Sequence, residues 1–148
     1  MKKTAIVYAS HHKCNTRRLV EGLARQLPIT LIDAEASPVP DLSDYDAVGF
    51  ASGIDFGRFY PSVTAVLENL PAGKPVFFLY TCAKPEPRFT ASVREMAVKR
   101  AASILGEYGC RGWNAYGPLK LIGGMNKGHP TEKEIAAASA FLREILKD

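Results

Sequence analysis

A chain of 148 residues suits one domain and can bury roughly 70% of the surface its unfolded form exposes, so it needs neither disulfide nor metal to fold. Hydrophobic residues make up 47% and the net charge is +4. This mild basicity permits anionic ligands, but no Lys/Arg run exceeds two residues and no nucleic-acid-binding signature is present. Three cysteines without a CxxC pair, an apolar run before His11-His12 too short for a signal peptide, and no stretch near the ~18 residues that span a bilayer argue for a cytoplasmic protein with reduced thiols, away from membranes.

Two periodicities alternate along the chain. Thr4–Ala9 is a short apolar run expected to form a strand buried on both faces. Thr16–Leu27 places Leu19, Val20, Leu23, Ala24 and Leu27 on one helical stripe, ended by Pro28. Ile29–Asp33 reads as a second strand. Ala34–Asp44, rich in Pro, Ser and Asp, reads as a loop. Asp46–Ala51 is a third strand, followed by a loop from Ser52 to Tyr60. Pro61 stands at the first position of a helix that ends near Leu70-Pro71. Pro75–Tyr80 is a fourth strand. Val93, Met96, Ala97, Ile104 and Leu105 predict one long helix over Phe89–Tyr108, stopped by Gly109, and Cys110–Tyr116 then reads as the fifth strand, with Trp113 either in the core or a second ring-stacking candidate. Thr131 and Glu134 form a capping-box pattern that starts a last helix with Ile135, Ala138, Leu142 and Ile145 inward.

Strands alternating with amphipathic helices predict an α/β three-layer sandwich, with a five-stranded parallel sheet in the order 2-1-3-4-5 and helices on both faces. Ligands of such sheets bind beyond the carboxyl ends of the strands, where the order reverses. Three loops therefore matter. The first, Ser10-His11-His12-Lys13-Cys14-Asn15-Thr16, precedes a helix N-terminus, which favours an anion; Ser10, Asn15 and Thr16 add donors and Lys13 a charge. Arg17 and Arg18 sit in the first turn, where cations oppose the helix dipole and a nearby anion would offset the conflict. On the residues alone, Asn15 or Thr16 serves equally well as a plain helix cap. His11-His12 makes a poor metal site, because adjacent side chains diverge. The second loop holds Ser52, Gly53, Ile54, Asp55, Phe56, Gly57 and Phe59, whose aromatics either stack on a ring system or pack over the loop. The third begins Thr81-Cys82-Ala83. Cys14, beside a helix N-terminus and Lys13, has the setting of a reactive thiol, with Cys82 predicted on the same edge.

Ile6–Ser10 followed by Asn15-Thr16 resembles the flavodoxin phosphate loop, a strand ending in Ser/Thr-x-Thr-Gly-Asn-Thr. Here Lys13-Cys14 replaces the usual glycine and the loop is one residue longer. The long stretch Gly117–Pro130 is similar to that of short-chain flavodoxin-like proteins, as either connector or lid. The resemblance spans the whole chain, residues 1–148, as one FMN-binding domain. It implies phosphate contacts from Ser10–Thr16, a stacking ring from Phe56 or Phe59 with a peptide flip at Gly57, and backbone contacts to the flavin from Thr81, Cys82 and Ala83. It further implies electron transfer with redox partner proteins. A small NAD(P)H-dependent quinone or flavin reductase, and a flavodoxin-like module without FMN, are the alternatives.

Overall fold

The computed structural model describes residues 1–11, 14–36, 39–112 and 127–148. β1 (Thr4–Ala9) leads to α1 (Asn15–Gln26), β2 (Ile29–Asp33) and β3 (Ala47–Asp55). A two-residue strand β4 (Arg58–Phe59) follows, then α2 (Pro61–Glu68), β5 (Pro75–Cys82), a 3₁₀ turn at Pro87–Thr90, α3 (Ala91–Lys99), β6 (Ser103–Arg111) and α4 (Glu132–Ile145). The sheet runs β2-β1-β3-β5-β6, all parallel, with β4 pairing antiparallel to β3 outside that path. This is the expected doubly wound order plus one short strand.

β1 is buried along its whole length, as its unbroken apolar run requires. Two cores form, one on each face of the sheet. One packs Val7, Phe50, Phe78 and Tyr80 beneath α2 and α3 through Val63, Leu67, Val93 and Ala97. The other packs Ile6, Phe77 and Leu79 beneath α1 and α4 through Leu19, Leu23, Ala138 and Leu142. Phe50, Phe77 and Phe78 have no exposed surface; burying each contributes roughly 1.5–3 kcal/mol.

Two readings of the sequence are corrected. The helix expected over Phe89–Tyr108 ends at Lys99, and the fifth parallel strand is Ser103–Arg111, not Cys110–Tyr116. The stop is a Schellman motif: Ala102 N–H donates to the Ala97 carbonyl and Ala101 N–H to that of Val98, with Ala101 at φ +53°. A glycine would have announced this turn, but an alanine holds it. β6 then gains a full ladder with β5, Leu105 bulging where Val76 pairs Ile104 and Phe77 pairs Gly106. Trp113–Tyr116 lie outside the described residues. The second correction concerns the loop after the third strand. β3 runs on through Asp55 and turns back as a hairpin, with Asp55 opposite Arg58 and Ile54 opposite Phe59. Phe56 and Gly57 make the turn at φ +51° and +75°, the positive values that a two-residue hairpin of right-handed twist demands. Among the described residues no helix is long and apolar enough to cross a membrane.

Candidate functional site

A cleft of ≈ 290 Å³ opens at the carboxyl edge of β1, β3 and β5, where the strand order reverses. The loop before α1 forms one end. The β3–β4 hairpin forms one wall and the segment after β5 the other.

At the α1 end, Cys14 takes the left-handed conformation (φ +56°) and turns the chain into the helix. Ser10 Oγ accepts from Arg17 N–H at 3.0 Å, so this hydroxyl braces the first turn. Asn15 borders the cleft beside Gly112, where an added Cβ would lie 2.5 Å from the Asn15 amide nitrogen; only glycine leaves that side chain its place. Thr16 is buried, and its hydroxyl shares a 2.9 Å hydrogen bond with that of Thr81, tying α1 to the end of β5. The first turn carries no acidic residue. Arg17 and Arg18 do not wait for an anion. Arg17 pairs with Asp33 at 3.8 Å, and Arg18 donates to the His129 and Pro130 carbonyls. Both charges are drawn sideways, which offsets their conflict with the dipole. His12 and Lys13 lie outside the described residues, as does 117–126 of the long C-terminal loop.

His11 sets its ring parallel to that of Tyr60, centroids 4.2 Å apart, and its Nε2 reaches both carboxylate oxygens of Glu35 at 2.9 Å. Tyr60 lies across Gly53: an added Cβ there would fall 2.3 Å from the Tyr60 hydroxyl. Ser52 Oγ accepts from Tyr60 N–H and donates to the Gly53 carbonyl, closing the base of the hairpin. Neither phenylalanine put forward from sequence reaches the cleft. Phe59 is 4% exposed and meets Phe78 edge-on in the core, because the short strand alternates its side chains and turns Arg58 out. Phe56 stands at the hairpin tip, 97% exposed. Asp55 and Gly57 share that tip. The aromatic surface of the cleft comes from Tyr60 and Phe89 instead.

The other wall runs through Thr81, Cys82, Ala83, Lys84 and Glu86. Burial pushes the Cys82 and Cys110 thiols up to about 12. Burial thus disfavours the thiolate of Cys82, which opposes pairing it with Cys14 in redox chemistry. Of the residues singled out by sequence, His11, Asn15, Thr16, Gly53, Ile54, Thr81, Cys82 and Ala83 border the cleft, while Ser10, Cys14 and Ser52 support it from outside. Tyr60, Lys84, Glu86, Phe89 and Gly112 join them. Tyr60 was legible as the third aromatic of the Ser52–Tyr60 loop, but Phe56 and Phe59 were put forward in its place; Phe89 and Gly112 were legible only once the true course of α3 and β6 is known.

No family model matches the chain. The uncharacterized protein MJ0298 of Methanocaldococcus jannaschii is 33% identical over 149 residues, 99% of each chain. Among solved structures, a flavodoxin from the domain Archaea gives a TM-score of 0.65 at 12% identity, over 96% of this chain and 95% of that one. A flavoprotein of Lactobacillus acidophilus, solved in complex with FMN, gives 0.58 at 17% identity, over 74% and 93%.

Proposed function

The chain belongs to the family of MJ0298 and has the flavodoxin-like fold, and from that premise we propose that its cleft binds FMN and that the protein carries electrons between partner proteins of the cytoplasm. The observation that carries this reading is a cleft that joins an anion-favouring helix end to apolar and aromatic walls. A planar ring bearing a phosphate tail needs that pairing.

The donor set fits the group. The N–H groups of the first turn of α1, around Asn15 and Thr16, would hold the phosphate, with no acidic side chain in that turn to oppose it. Ile54, Tyr60 and the Cys82-Ala83 backbone would flank the ring. The Thr16–Thr81 hydrogen bond holds the phosphate end and the ring wall at a constant spacing. Bound FMN would supply the reversible uptake of electrons. The chain's own residues, the α1 N–H groups at one end and Ile54, Tyr60 and the Cys82-Ala83 backbone at the other, would hold and orient it. The absorption spectrum of the purified protein, followed by titration with FMN, tests the reading. Flavin bands, or saturable quenching of flavin fluorescence below about 10 µM, are expected; no bands and no binding would sink it. Slow bleaching of the bound flavin by NAD(P)H fits a carrier, whereas rapid bleaching would replace the carrier with a reductase.

A further inference from the structure

Phe56 is in the wrong place for folding on two counts. Its backbone sits at φ +51°, where Gly, Asn or Asp is easier to hold and a bulky residue is strained. Its side chain is 97% exposed, so burial returns nothing for that strain. Strain held at an exposed position points to use outside the fold. The surroundings specify the use. Arg58 is exposed on the returning strand of the same hairpin, and Lys84 is exposed on the facing wall. Arg88 abuts the turn, since a Cβ on Gly57 would lie 3.3 Å from its Nη1. Arg88 is also pre-set: Glu86 holds its Nε at 2.5 Å, and its guanidinium lies 4.6 Å over the Phe89 ring. Ile54 and Tyr60 on this hairpin, and Lys84, Glu86 and Phe89 opposite, border the cleft itself.

We infer that the hairpin tip is a docking knob, with Phe56 entering an apolar pocket of an acidic partner protein while Arg58, Lys84 and Arg88 meet carboxylates around that pocket's rim. The inference rests on the proposed function for its purpose, because docking here brings the partner to the cleft mouth. Charge complementarity selects the occupant. The chain as a whole is basic, arginine is enriched among the residues that carry binding energy at protein interfaces, and rim charges choose a partner of opposite sign. A bilayer fits less well, because one ring at a hairpin tip buries little apolar area and no amphipathic face among the described residues surrounds it.

Isothermal titration at low ionic strength, with a soluble cytochrome of net negative charge as probe and one of net positive charge as control, tests the knob. The acidic cytochrome should bind, weakening as salt rises, and the basic one should not. Phe56→Asn, which suits the turn, should fold at least as well and weaken binding about tenfold. Arg58→Glu should also weaken it, and Val98→Asn, at an exposed apolar residue of α3, should leave it unchanged. The inference is overturned if the acidic cytochrome does not bind or if Phe56→Asn binds it as tightly as the parent. Phe56-dependent binding to phosphatidylserine vesicles in place of the cytochrome, or a dimer that Phe56→Asn dissolves, overturns it equally. FMN titration of the same samples keeps the two ideas apart: cytochrome binding without FMN binding would leave the knob standing and remove the cofactor reading.

Discussion

Asn15 concentrates the chemistry of the anion end in one side chain. It occupies the first position of α1, against the Gly112 backbone and on the border of the cleft. A carboxylate here favours the helix through the dipole but repels a phosphate. Asn15→Asp should therefore hold or raise the melting temperature while weakening FMN binding about tenfold or more, read by thermal unfolding and flavin fluorescence on the same sample. Asn15 and Thr16 were legible in the sequence because a strand, a polar loop and a helix follow in order. Tyr60 and Phe89 were not, because an aromatic's direction depends on which way its backbone is turned. Three aromatics within five residues drew the eye to Phe56 and Phe59, yet the hairpin sends Phe59 to the core and Phe56 to solvent.

The elements succeed or fail by their ends. α4 begins with a complete capping box: the Thr131 hydroxyl accepts from Glu134 N–H while Glu134 accepts from Thr131 N–H. Burial alone would raise the Glu134 carboxyl, but the hydrogen bonds from Thr131 and from His129 outweigh it and hold it below its ordinary 4.5. A carboxyl with its folded value depressed adds stability that is fully present above the unfolded value and lost as pH falls through the folded one. Glu134→Gln should thus lower the urea midpoint at pH 7, and the gap between variant and parent should close as pH is lowered through and below about 4.5. At the end of α3, Ala101 carries a left-handed backbone at φ +53° without the freedom of glycine. Ala101→Gly should stabilise the protein by about 0.5–1 kcal/mol, a rise of a few degrees in melting temperature by calorimetry. That same alanine hid the end of the helix, since alanine is the strongest helix former and no Gly or Pro stands between Ala91 and Leu105 to break the stripe.

At the scale of the whole molecule, charge bears on the proposed cofactor. The net +4 and the lysine and arginines around the cleft mouth favour an added negative charge on a bound flavin. Potentiometric titration of the FMN-loaded protein should give a final reduction step less negative than that of acidic flavodoxins, and a markedly lower value would count against the carrier reading.

The sequence alone determined the alternation of buried strands and amphipathic helices, the 2-1-3 crossing that makes a crevice, and the helix end that favours an anion. All of these follow from local periodicity and from the handedness of crossovers, which neighbouring residues encode. Only the tertiary structure decided where α3 stops, that the fifth parallel strand is Ser103–Arg111, that β3 folds back as a hairpin, and which aromatics face the cleft. The α3 stop and the hairpin are local turns held by Ala101, Phe56 and Gly57 at positive φ, whereas the course of β6 depends on a partner distant in sequence, its ladder with β5, as do the ties of Thr16 to Thr81 and of Asn15 to Gly112 that shape the cleft. Such contacts override local preference because the ladder and the packed core reward them only once the distant strand is in place.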